Sequence, residues 1–427
     1  MSVNDLRLDR SSRKHQDTSR AIKRQRRGIV YSNQETVFAV SFGVHYFTIV
    51  TLALASRLLK LSLENSSPPE EEQTKQLAPV KITNTNWYEH FLDNGWIPEI
   101  ILRQGIRKEV QDRLNSIRNI PMCKLQEKKM RFIENLRHSD SSIDQEKANE
   151  QHYEVRTEFM KLCLGPRMKY SSCLYPTGNE TLQQAEDAIL ESYVEKAGIT
   201  DGMTLLDLGC GWGSMCLFLA EKFPGSQTYA LSNSSTQKIH IDEQASKKEL
   251  KNLTVITADC SWEWIKFSDL TSFDRVLSVE MFERMKNHKL LLARISSWLK
   301  PHGKLFVHIF CHKTTPYDYH EDGWIQKYFF TGGTMPSADL FLYFQEDMVI
   351  ENHWLINGKH YAQTCEDWLK LLYKHKNQAI PHLRDTYGEG EAEKWYNRWI
   401  VFYLARAELF AWKDGEEWMV GQYLFTI

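Results

Sequence analysis

Apolar and polar positions change rhythm from one part of this chain to the next. Residues 1–36 show almost no apolar periodicity and read as a basic, disordered tail. Residues 37–60 are nearly continuous in apolar character, VFAVSFGVHYFTIVTLALASRLL over 37–59, with no charge before Arg57. Residues 61–80 turn acidic and proline-bearing in ENSSPPEEEQTKQLAP, the composition of a solvated linker. Residues 81–165 recover a helical rhythm, with Ile97, Ile101, Leu102 and Ile106 about a turn apart. A polar hinge interrupts the helical sequence at 139–142. Residues 166–427 alternate short apolar runs with amphipathic stretches, the pattern of a single large domain.

That last pattern predicts a parallel α/β sheet with helices on both faces. LLDLG at 205–209 is a short buried strand. SQTYALSNSSTQ is the second strand and its loop, and LTVITADCSWEW a third that ends in Asp259. FDRVLSVEMFERM is the fourth strand and a loop. LARISSWLKPHGKLFVHIF reads as a helix, a KPHG turn and a fifth strand. The helix within AEKWYNRWIVFYLARAELFAWKDG and the strand WMVGQYLF complete the sheet. No internal repeat is visible.

Composition changes little of this picture. The chain has 427 residues, 42% of them hydrophobic and 12% aromatic, enough for a large core. Its 53 Lys and Arg against 55 Asp and Glu leave no basic face for nucleic-acid phosphates. The eight Cys form no CxxC pair, so neither a structural zinc nor any other metal site is expected. Scattered thiols in a chain this long point to an intracellular protein, cytoplasmic or on a membrane face toward the cytosol. Residues 37–59 are long enough to span a bilayer, and as a helix they would equally lie on its surface or pack on the protein. The charge of the tail favours keeping it cytosolic, which a single span would set against a cytosolic catalytic domain.

The sharpest local signal is DLGCGWG at 207–213. Three glycines, Gly209, Gly211 and Gly213, stand between a strand and a helix N-terminus, where backbone N–H groups are unpaired. The spacing is GxGxG rather than the GxGxxG of a dinucleotide fingerprint. Asp207, two positions before the first glycine, suits a cationic, amino-acid-like tail, so the expected ligand is S-adenosylmethionine (SAM). Ligands of such sheets sit at the carboxyl ends of the strands, where Asp207, Asp259, Glu280 and Glu283 fall. In the usual layout of the fold Asp259 meets the adenine amino group. Strand two ends without an acid for the ribose, leaving Ser232, Asn233 or Gln237 to hold it.

KYSSCLYP (169–176), LDLGCGWG, ALSNSSTQ, SVEMFERM and KYFFTGGTMPS (327–337) follow one another in this order. The set resembles the cyclopropane-fatty-acyl-phospholipid synthase-like group of SAM-dependent methyltransferases, and within it the coclaurine N-methyltransferase-like branch. The resemblance runs from about residue 87 to the C-terminus and implies a Rossmann-like class I methyltransferase fold, with 81–165 as a helical cap before it. It also implies two sets of site residues. The bicarbonate pocket of the lipid-modifying relatives maps onto Cys173, Glu283, His308, Phe310 and Tyr361. The N-methylating branch carries EMFEH, whose Glu-His pair contacts the amine. Here the loop is EMFER, with Glu280 and Glu283 retained and Arg284 in place of the histidine.

That exchange has chemical content. Methylating an amine needs the nitrogen lone pair, and histidine titrates where it can accept the proton, whereas arginine does not. Either Glu283 or His308 is the base, or Arg284 binds an anionic group of the substrate, or Arg284 is a loop residue in a surface ion pair. His308 lies at a strand end favoured for catalytic groups, Tyr361 either packs or donates, and no neighbour marks Cys173 as a nucleophile. Trp324, Tyr328, Phe329 and Phe330 are candidates to cap the pocket. The expected activity is methyl transfer from SAM to nitrogen of a small amine. Methylation or cyclopropanation of an unsaturated membrane lipid, and a SAM-binding scaffold without activity, are the competing readings.

Overall fold

The computed structural model describes residues 88–139, 157–257, 272–319 and 323–427. The basic tail, the apolar segment 37–59, its linker and Asp259 lie outside them. Among the described residues no helix is long and apolar enough to cross a membrane.

Among the described residues nine strands carry the fold: β1 (Thr204–Leu208), β2 (Gln227–Ser232), β3 (Leu253–Thr257), β4 (Phe273–Val279), β5 (Leu299–His312), β6 (Tyr317–Asp318), β7 (Thr334–Met335), β8 (Val349–Ile356) and β9 (Trp418–Thr426). Seven of them form one sheet in the order β3-β2-β1-β4-β5-β9-β8, while β6 and β7 pair separately. β1 through β5 are parallel, and β9 runs antiparallel between β5 and β8. The chain builds outward from β1 to β3 and then crosses back to β4. The carboxyl ends of β1 and β4 therefore flank the point where strand order reverses, the place where such sheets open a crevice.

Successive side chains of a strand point to opposite faces, and here both faces are buried. Leu205 packs into one core and Leu206 into the other, as do Phe306 and Val307 on β5. The first core takes the helices Leu182–Ala197, Gly358–Lys374 and Ala392–Ala411, with Trp368, Trp399 and Trp418 fully buried. The second takes the helix His288–Trp298 and the short 3-10 turn Leu340–Tyr343. The helix Leu182–Ala197 has its ends written in the sequence. Thr181 and Gln184 form a reciprocal capping box, and Gly198 closes the far end at φ 59°.

KPHG falls within the bounds of β5 but breaks its pairing: His302 sits at φ 67°, and the register to β4 jumps from Phe273↔Leu299 to Arg275↔Lys304. The helical sequence after residue 87 forms two helices, Glu89–Asp93 and Glu99–Arg118, separated where Gly95 takes φ 65° and Pro98 caps the second. The longer piece packs on the C-terminal helix through charge. Arg103 meets Glu366 at 2.6 Å and Glu408 at 2.9 Å, and Arg107 meets Glu408 at 2.6 Å.

Candidate active site

The glycine turn after β1 needs its glycines. Gly209, Gly211 and Gly213 have φ of 82°, 52° and 86°, in the region that L side chains avoid. A Cβ at Gly209 would stand 2.8 Å from Met281 Cγ, and one at Gly213 would stand 2.6 Å from Ile241 Cγ1. Asp207 is buried at the end of β1, where its Oδ2 accepts from Cys216 N at 3.1 Å. Burial pushes its carboxyl up to about 7, and the Cys216 hydrogen bond only partly opposes this.

A cleft of about 930 Å³, its open mouth included, lies at the switch point. Asp207, Gly209, Gly211, Trp212 and Ser214 line it from the first β–α unit and Gln237 from the next. Glu280, Arg284, Phe310, Phe330 and Arg406 complete it. Ser214 Oγ is buried and bonded to no protein group. Ser232 does not line the cleft; its hydroxyl donates to Gln237 Oε1 at 2.7 Å and so orients the amide. An acid for an ammonium, a glycine cradle, an orphaned hydroxyl and an oriented amide are the donor and acceptor set that SAM requires.

Glu280 follows β4 and is the most tightly held side chain of the cleft. Its backbone has φ 51°, a conformation that costs a non-glycine residue ~1–3 kcal/mol and persists only where surroundings enforce it. The enforcing contacts are present. Glu280 N donates to His308 O at 2.8 Å, and Oε1 accepts from Ser172 N at 2.9 Å. Oε2 accepts from the Tyr361 hydroxyl, which itself accepts from Arg406, and Arg406 Nη2 lies 3.6 Å from Oε2. Burial alone would raise this carboxyl. The facing His308 imidazole, the Arg406 guanidinium and the Tyr361 hydroxyl outweigh it and hold Glu280 below the ordinary carboxylate range.

The other candidates stand behind this carboxylate rather than in the cleft. Glu283 Oε1 accepts from Phe310 N at 2.8 Å, and its Oε2 is buried with no partner. Burial and the nearby Glu280 charge push Glu283 well above the usual carboxylate range, which favours its protonated form. His308 Nδ1 is taken up by the Tyr193 hydroxyl at 2.9 Å and the Gln422 amide at 3.2 Å. Burial lowers His308 to about 4. Cys173 is buried, its N–H donates to Thr364 Oγ1 at 3.0 Å, and burial pushes its thiol up to about 12, the opposite of an activated nucleophile. Tyr361 is buried and stacks on Phe410 at 4.4 Å.

Arg284 is in no surface ion pair. It lines the cleft with its guanidinium 4.7 Å above the Phe330 ring, and its Nη1 is buried without a hydrogen-bond partner. Of the aromatic cluster, Phe330 alone reaches the cleft; Phe329 stacks on Phe402 at 4.3 Å, and Trp324 packs against Tyr328 and Phe329. Arg406 went unnoticed in the sequence. Its one signal was a charge inside the apolar run FYLARAELF.

Residues 140–414 match the family model described as mycolic acid cyclopropane synthetase. The chain belongs to that family. It is 39% identical to a (S)-coclaurine N-methyltransferase of Thalictrum flavum subsp. glaucum, over 82% of this chain and 98% of the relative. It is 30% identical to the cyclopropane-fatty-acyl-phospholipid synthase of Escherichia coli (strain K12), over 63% of this chain and 66% of the relative. A crystal structure of coclaurine N-methyltransferase bound to N-methylheliamine and S-adenosylhomocysteine (SAH) superposes with a TM-score of 0.76 at 36% identity, covering 79% of this chain and 98% of that one. The protein is thus a class I SAM-dependent methyltransferase.

Proposed function

We propose that this methyltransferase methylates the nitrogen of a small amine, as its relatives named N-methyltransferases are described as doing. The observation that carries the reading is Glu280. It is an anionic carboxylate set at the mouth of the glycine turn and fixed by groups from four separate parts of the chain.

SAM supplies an electrophilic methyl group on a sulfonium. The protein supplies position. A carboxylate offers about four acceptor sites, and two are used by Ser172 N and the Tyr361 hydroxyl. The remaining capacity takes an N–H of the acceptor and turns its lone pair toward the methyl donor. A carboxylate held below its ordinary pKa is a good hydrogen-bond acceptor and a weak base, so the amine enters as its free base. Orientation of this kind accounts for several kcal/mol of barrier, on the order of 7–11 in the best intramolecular cases.

The test uses the full chain, methyl-labelled SAM, a panel of secondary and tertiary amines, and vesicles of unsaturated phospholipid. Label on an amine supports the proposal. Label confined to lipid overturns it in favour of carbon methylation.

A further inference from the structure

The charges of the cleft do not balance, and the imbalance points to the acceptor. This inference rests on the amine reading above. Two guanidinium groups, Arg284 and Arg406, line the acceptor part of the cleft, and Lys169 lines it as well. Arg406 is partnered by Glu280 and by the Tyr361 hydroxyl. Lys169 donates to Ser171 Oγ and to Ser172 O at 2.7 Å. Asp207 belongs to the glycine turn, where the amino-acid tail of the methyl donor is expected. Nothing is left for Arg284: among the described residues it has neither an ion pair nor a hydrogen bond. Its neighbour Glu283 is turned to Phe310 N and not to the guanidinium.

Arginine stays charged at any pH a protein meets. A half-buried guanidinium without an anion is costly unless a ligand provides one. Its guanidinium carbon also lies 4.7 Å from the centre of the Phe330 ring, a contact that restricts where the side chain can go. A planar fork matches a carboxylate or a phosphate by paired hydrogen bonds. A simple ammonium would be repelled by the same group. We propose that Arg284 selects acceptors carrying an acidic oxyanion group, so that the substrate is an amine bearing a carboxylate or phosphate, with its nitrogen at Glu280 and its acid at Arg284.

Paired acceptors test this with methyl-labelled SAM. Tyramine is compared with tyrosine, tetrahydroisoquinoline with its 3-carboxylate, and ethanolamine with phosphoethanolamine. The first two pairs read a carboxylate and the third a phosphate. The acid-bearing member of at least one pair is expected to have kcat/KM higher by about tenfold or more. Arg284→His is expected to abolish or invert that preference, and Arg284→Lys to keep part of it. SAH binding by calorimetry reports that each variant is folded. A wild-type preference for the neutral members, or an acid preference that Arg284→His leaves intact, overturns the inference while amine methylation stands. Absence of label from every amine, whether or not vesicles acquire it, overturns both.

Discussion

Glu280 and His308 meet twice. The Glu280 N–H donates to the His308 carbonyl at 2.8 Å, and His308 Nε2 lies 3.5 Å from Glu280 Oε1. The tautomer follows from the far side of the ring. Lys196 fixes the oxygen of the Gln422 amide, whose nitrogen then donates to His308 Nδ1. The imidazole proton is therefore assigned to Nε2, facing Glu280. His308 is neutral, its lone pair is already taken, and its Nε2 faces the carboxylate at 3.5 Å without closing a hydrogen bond.

The pH profile should show this. Burial holds His308 at about 4, so it contributes no limb near its ordinary value of ~6.5. With Glu280 ionised, and with SAM saturating so that the titration of Asp207 is not read, the titration that remains is that of the amine. We expect log kcat/KM to rise with unit slope up to the pKa of the acceptor. Two accepted amines of different basicity decide it: the limb should move with the amine, and a limb fixed near 6.5 for both would assign the base to the enzyme.

Glu280→Gln keeps the shape and removes the charge. We expect kcat/KM to fall by roughly a hundredfold, the scale of a lost positioned acid–base group, with SAH affinity unchanged by calorimetry. A loss of SAH binding of equal size would instead make Glu280 part of the cofactor site.

Arg406→Met should act through Glu280. The guanidinium is one of the groups holding that carboxylate below its ordinary range, so its removal raises the Glu280 pKa. Activity should then be lost as pH falls through a higher value than in the wild type, and the acid limb should move up. Arg406→Lys should return part of the shift. Truncating one partner of a buried pair also destabilises by ~3–5 kcal/mol, so the position of the limb is the informative readout rather than turnover alone.

Local signals in the sequence translated well into structure. The apolar runs of β1, β2, β4 and β5 are largely buried, and the glycine turn is a contiguous feature whose residues fold together. What depended on distant partners did not show. β8 alternates weakly because it is an edge strand, largely exposed through Val349–Leu355. KPHG carries turn residues and interrupts the pairing of β5, which resumes with β4 and β9 only at Lys304. Ser232 has the right place for a ribose, but its hydroxyl is spent on Gln237. Arg406 could not be tied to Glu280 by any spacing, since the two are brought together by packing of the C-terminal helix.

Gly209 offers a test of the turn itself. Alanine there meets φ 82° and Met281 Cγ at 2.8 Å. We expect Gly209→Ala to cost on the order of 1–3 kcal/mol and to weaken SAH binding at least tenfold. Met281→Ala in the same chain removes the clash and leaves the backbone strain, so recovery in thermal denaturation should be partial. Full recovery would mean that the positive φ matters little.

Asp207 ties ligand affinity to pH. Its carboxyl sits at about 7 in the buried turn, against ~3.9 in an unfolded chain. Between those values the folded protein holds a proton that the unfolded chain has released. Stability from this group is thus greatest at the acid end and falls as pH rises to about 7. A ligand ammonium reverses the preference, because it favours the ionised carboxylate. Binding near neutrality should therefore expel a proton. SAH affinity should climb up to about tenfold per unit below pH ~7 and level off above it. Calorimetry at several pH values, in buffers of different ionisation enthalpy, measures both the slope and the proton released. Asp207→Asn should bind weakly and lose the pH dependence. An affinity that is flat across this range in the wild type would place the ammonium away from Asp207.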